Sequence, residues 1–144
     1  MADSPIALIT DSGCDLPDDL LQRHDIAIVP LYILWGGEQL RDRVDIAAEA
    51  FYRRLVSDPV HPSTSQPHPA DFARAIAAAH ERGAQEAMII TISSGMSSTH
   101  DSALQAARDA AITARDAGAG AQTVLARAAD AWSDRAGGTS GALW

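Results

Sequence analysis

The stretch IALITDSG, residues 6–13, sets a short, almost continuous apolar run against an aspartate, a serine and a glycine. A run such as Ile6 to Thr10 reads as a strand buried on both faces of a parallel sheet, since a half-exposed strand would alternate. Beyond the polar break, Asp15 and Pro17 read as an N-cap and a first-turn proline, with Leu16, Leu20 and Leu21 as the apolar stripe of a short helix. The same pattern recurs downstream. Ile26 to Trp35 is a second strand, in which Pro30 favours an edge or irregular position. Gly36-Gly37 ends it, Glu38 to Arg41 follows as a minor strand, and Met88 to Ile92 is the third strong strand.

Helical patterns fill the intervals. Asp45 is a candidate N-cap for a helix carrying Ala47, Phe51 and Leu55 at four-residue spacing. Asp58 to Pro69 holds four of the seven prolines and reads as an extended loop. Pro69 opens the next helix, with Phe72, Ile76 and Ala79 facing inward and Gly83 ending it. From Thr99 onward Ala103, Ala107, Ala110 and Ala114 share one helix face. Strands alternating with helices predict an α/β domain with a small, largely parallel sheet flanked by helices over residues 1–115, and a helical tail over residues 116–144. Three strong strands are few for an open sheet. Either a homodimer covers the sheet edge and the alanine-rich helix face, or the chain is expected to be part of a larger fold.

Composition narrows the function classes. The 144 residues are 47% hydrophobic but only 5% aromatic, which favours close helix contacts over packing of large side chains. A formal charge of −8 disfavours nonspecific binding to nucleic acid or an anionic membrane surface. The single cysteine, Cys14, precludes an internal disulfide and suits a reducing compartment. There is no signal-peptide pattern and no membrane-span-length apolar run, so a cytoplasmic location is expected. The five histidines are scattered without HExxH or paired Cys/His spacing, and neither a GxSxG elbow nor a Walker A lysine is present. No metal site and no catalytic residue is therefore assigned. Met88 and Met96 read first as core filling, with an acyl-tunnel lining as the alternative.

The stretch TISSGMSSTHDSA, residues 91–103, places seven hydroxyls directly behind the third strand. In open α/β sheets ligands bind beyond the carboxyl ends of the strands. Thr10-Asp11-Ser12, the Ser63-Thr64-Ser65-Gln66-Pro67 loop and Ser93 to Thr99 are all placed to converge there. The last precedes a helix, whose amino end suits an anion. Taken singly, Ser97, Ser98 or Thr99 reads as a helix cap, with Asp101 completing a loose capping box after Ser98. Taken as a cluster beside a second Thr-Ser loop, they read as a site.

ITDSGCDLP (residues 9–17), IAIVPLYI (26–33), DIAAEAFYRRL (45–55), STSQPHPADF (63–72) and ISSGMSSTHDSA (92–103) resemble, in order, the motifs of the N-terminal domain of the DegV family. The resemblance spans roughly residues 5 to 110. It implies a bacterial fatty-acid-binding protein without chemistry of its own. Such a protein holds a long-chain fatty acid as ligand, needs no cofactor, and presents the carboxyl group to a separate fatty-acid kinase. It further implies that Thr64 and Ser94 contact the lipid carboxylate, with Ser93, Ser65 and Ser12 close by. Two departures stand out. Ser98 occupies a position where the family usually has glycine. The family's second domain, which adds an arginine and a histidine to the site, has no counterpart here, so an incomplete site is expected.

The segment DAGAGAQTVLARAADAWSDRAGGTSGALW, residues 116–144, resembles a fragment of the dihydroxyacetone kinase L domain, where a Gly-Gly-Thr-Ser-Gly turn holds ATP phosphates. That resemblance makes Gly137, Gly138, Thr139, Ser140 and Gly141 candidate phosphate-binding residues, although the magnesium-binding aspartates of that domain have no match. A kinase-like nucleotide-binding fragment and a folded chimera without activity are the alternative functions.

Overall fold

A computed structural model describes residues 6–116. The element order is β1 (Ile6–Asp11), a 3₁₀ turn (Ser12–Cys14), α1 (Asp18–Arg23), β2 (Ile26–Val29), β3 (Tyr32–Trp35), β4 (Glu38–Arg41), α2 (Ala48–Ser57), β5 (Ser63–Ser65), α3 (Pro69–Glu81), β6 (Glu86–Ile90) and α4 (Thr99–Asp116). The expected α/β architecture is present, as two sheets. One is parallel with the order β2-β1-β6, and the other has the order β4-β3-β5 and is antiparallel throughout.

The register explains which strand face is buried. Ile9 pairs with Ala27 on one side and Ile89 on the other, so Ala27, Ile9 and Ile89 share a face. That face meets α3 and α4 in a core of Ile9, Val29, Phe72, Ala103 and Ala106. On the opposite face Ile6, Met88 and Ile90 are 41%, 42% and 60% exposed. The run of β1 is thus closed on the Ile9 face, while its other face grades from exposed Ile6 through half-buried Leu8 to buried Thr10, so the expectation of burial on both faces holds only toward the carboxyl end of the strand. Continuous apolar character records what the sheet can bury, and within residues 6–116 only one side has helices on the core cluster. Met88 as core filling is corrected by the same geometry.

The long second strand divides at Pro30. Proline has no N–H to give to a ladder, so β2 ends at Val29 and the chain crosses into the second sheet as β3. Gly36 and Gly37, both at positive φ (58° and 90°), form the tight turn that returns β4 against β3. Between the prolines of the presumed loop lies a short strand, β5, which pairs antiparallel with β3 through Ile33 and Thr64. This strand lacks any apolar residue, so its pairing left no pattern to read.

Helix starts differ in two places. Asp15 sits at φ 52° as the residue that follows and closes the 3₁₀ turn, and α1 begins at Asp18 with Pro17 as its N-cap. Asp45 caps nothing. Its carboxylate accepts from the Arg41 backbone N–H at 2.7 Å and from the Arg41 guanidinium at 2.9 Å, while α2 starts after Ala47. Those bonds hold the Asp45 carboxyl down at about 2, against an ordinary value of 3.8. A carboxylate with a lowered native pKa stabilises the fold above its unfolded pKa and loses that effect as pH falls through the native one. Urea midpoints of the unmodified chain and of Asp45→Asn are therefore expected to differ at pH 5 and to converge by about pH 2. A gap that persists at low pH contradicts the pairing.

Pro69 does open α3, where Asp71 accepts from the His68 backbone N–H at 2.8 Å in a capping box. Phe72 and Ala79 are buried as expected. Among the described side chains of α4 the buried alanines are Ala103, Ala106 and Ala107, and small side chains let α3 and α4 approach closely. No helix among the described residues is long and apolar enough to cross a membrane.

Candidate functional site

At the carboxyl end of the parallel sheet, β1 runs into Asp11 and Ser12, both essentially buried at 1% and 2% exposure. The β1–β6 ladder ends at Thr10 paired with Ile90, and the chain then enters the hydroxyl-rich loop. The Ser93 carbonyl accepts from the Met96 and Ser97 amides at 2.9 and 3.1 Å, which folds Ser94 and Gly95 into a turn. Ser97 Oγ accepts from the Thr99 amide at 3.2 Å and lies 2.8 Å from Thr99 Oγ1, so Ser97 supplies the side-chain cap of α4. Ser98 contributes its backbone carbonyl to Ser102 instead.

A cavity of about 490 Å3 lies where this loop meets β5. Its walls are Leu31, Thr64, Ser65, Gln66, Ile92, Met96, Ser97 and Ser98. None of these carries a formal charge. Hydroxyls and one amide face apolar side chains, and the amino end of α4, the positive end of its dipole, begins at Thr99 beside them. Such a lining can donate several hydrogen bonds to an anionic head group while receiving an apolar chain. A second cavity of about 460 Å3 adjoins it and shares Leu31 and Thr64; Ser12, Ile33 and Phe51 also line it.

Of the residues singled out in the sequence, Thr64 and Ser65 line the first cavity. Ser12 lines the second, and its Oγ accepts from the Leu31 amide at 3.0 Å. Ser93 and Ser94 sit on the adjoining loop but are outside the residues that form the cavity wall; Ser94 is exposed, and Ser93 Oγ accepts from Gly95 N at 3.2 Å. Ser97, Ser98 and Gln66, which belong to the segments expected to converge here, join the wall, as do Leu31 and Ile92, which were not singled out. The serines were legible as helix-start residues, and Gln66 stood within the quoted STSQ motif. Leu31 and Ile92 gave only an apolar signal. Met96 is 53% exposed and lines the cavity, so reading it as core filling is corrected. The phosphate-binding candidates Gly137 to Gly141 lie outside the described residues.

Asp11 stands behind this wall. One carboxylate oxygen accepts from the Ile92 amide at 2.6 Å and the other from the Gly13 amide at 2.9 Å. Burial pushes its carboxyl above the ordinary carboxylate value, against the pull of these two backbone bonds.

The model of the family described as "Uncharacterised protein, DegV family" matches residues 5–133. The chain belongs to the DegV family. The match extends beyond the boundary drawn at residue 115. A DegV domain-containing protein of Deinococcus radiodurans is 39% identical over 104 residues, covering 72% of this chain and 37% of that relative. Solved structures share the fold. A fatty-acid-binding DegV family protein of Thermus thermophilus is 39% identical with a TM-score of 0.64, over 72% of this chain and 37% of that one. A stearic acid-binding protein of Eubacterium ventriosum is 32% identical with a TM-score of 0.71, over 83% and 40%. This DegV chain therefore spans well under half the length of the relatives it matches.

Proposed function

We propose that this DegV chain binds a long-chain fatty acid, with the carboxylate held between Thr64 of β5 and the Ser93–Ser98 loop. The observation that carries the reading is the uncharged cavity of hydroxyls at the carboxyl end of the parallel sheet, opening beside the amino end of α4. Similarity to structures described as fatty-acid-binding supports the ligand class. Thr64 and Ser94 donate to the carboxylate, and Ser65, Ser93 and Ser12 shape the surrounding network. Leu31, Ile92 and Met96 offer the apolar wall along which the first carbons of the chain lie. The protein acts as a cytoplasmic carrier, performs no catalysis, requires no cofactor, and offers the carboxyl group to a separate fatty-acid kinase.

Binding of a fluorescent fatty acid tests these assignments. Thr64→Ala and Ser94→Ala are each expected to weaken affinity by about 1.5–3 kcal/mol, the range for a hydrogen bond to a charged group. A neighbouring Ser63→Ala, on the same strand but absent from both cavity linings, should leave it unchanged. Unaltered affinity in both site variants removes the two hydroxyls from the carboxylate site.

A further inference from the structure

Asp11 touches neither cavity, yet it joins the parts that build the first one. The β1–β6 ladder stops at Thr10 and Ile90, so the next amides of the loop have no strand partner. Asp11 supplies a side-chain rung in place of a strand, taking the Ile92 amide at 2.6 Å across 81 positions of sequence. Its neighbour Ser12 does the same on the other side, accepting the Leu31 amide where the chain crosses between the sheets. Ile92 and Leu31 are both cavity walls. Two consecutive residues at the end of one buried strand therefore hold both walls.

We propose that Asp11 is the positioning residue of the carboxylate site, fixing the Ile92–Ser98 loop so that its hydroxyls face Thr64. The proposal rests on reading the cavity as a carboxylate site. A carboxylate is required for a geometric reason. Asp11 offers two acceptor oxygens to two amides, those of Ile92 and Gly13. The amide of Asn has a single acceptor, and its NH2 would confront the second N–H. The space around this carboxylate is also tightly matched. A Cβ added at Gly13 would come within 3.0 Å of Asp11 Oδ1, so a side chain there must push the carboxylate aside.

Asp11→Asn in the full chain tests the role, with two readouts. The first compares palmitic acid with 1-hexadecanol, which share a chain and differ in the head group. Affinity for the acid is expected to fall about tenfold, the loss of charge-assisted positioning, while affinity for the alcohol changes less than about twofold. A purely structural role would lower both equally, and that result overturns the proposal. The second readout is amide hydrogen exchange in ligand-free protein. The Ile92 amide is expected to exchange at least about tenfold faster in the variant, with the Ile9 amide unaltered. Unchanged protection of Ile92 also overturns it. Because this measurement needs no ligand, it decides the positioning role independently; a chain that fails to distinguish acid from alcohol sinks the carboxylate reading instead. Gly13→Ala gives a second, milder displacement of the same carboxylate should the Asn variant not fold. Its acid-over-alcohol preference is expected to drop in the same direction, and an unchanged preference counts against the proposal.

Discussion

Phe72→Ala is expected to cost about 3–5 kcal/mol of folding stability, the range for an aromatic side chain removed from a closed core. Phe72 is completely buried and lies among Ile9 of β1, Val29 of β2, and Ala103 and Ala106 of α4. The sheet and both helices packed on it thus meet at one ring. The neighbours on α4 are alanines, whose short side chains cannot swing in to fill the space, so most of the cavity persists. Set against a typical domain stability of about 5–15 kcal/mol, the loss leaves the variant marginal. Urea denaturation followed by circular dichroism measures it. A cost below about 1 kcal/mol would mean that α3 does not pack on the sheet as described.

Trp35→Ala, in the second sheet, is expected to cost a similar amount, about 3–5 kcal/mol. Trp35 is 1% exposed on β3, with the Phe51 ring edge-on at 5.4 Å and the Arg54 guanidinium 4.4 Å from its ring centroid. Arg54 in turn pairs with Glu38 at 2.6 Å and Asp58 at 3.1 Å. Helix α2 buries none of its own residues completely, so this one indole carries much of its attachment to the second sheet. Its loss should release α2 and, with it, the Phe51 wall of the second cavity. The measurement is again a denaturation curve, with amide exchange in Phe51 to Leu55 as the local readout. Retained protection of those amides after Trp35→Ala would show that α2 is held by other contacts.

The parallel sheet was legible because β1, β2 and β6 are apolar runs and α3 carries Phe72 and Ala79 at helical spacing. The second sheet was not. Strand β5 is Ser-Thr-Ser, whose strand character comes entirely from backbone pairing with β3. The open face of the parallel sheet was equally hidden, since an apolar run looks the same with one helical layer as with two. At the site, the two hydroxyl-rich segments could be expected to converge from their positions after strands. The clamp between Asp11 and Ile92 could not, because nothing in either local sequence marks a contact between residues so far apart. Asp45 shows the reverse error. An Asp ahead of a helical pattern suggests a cap, but Arg41 on the preceding strand offers it three stronger donors.

Native mass spectrometry of the full chain, incubated with equal amounts of palmitic acid and 1-hexadecanol, tests the central claim most directly. The expected result is a one-to-one complex with the acid, little with the alcohol, and loss of the acid complex when Thr64 and Ser94 are both replaced by alanine. No complex with either lipid, or equal complexes with both, would contradict a carboxylate site in this cavity.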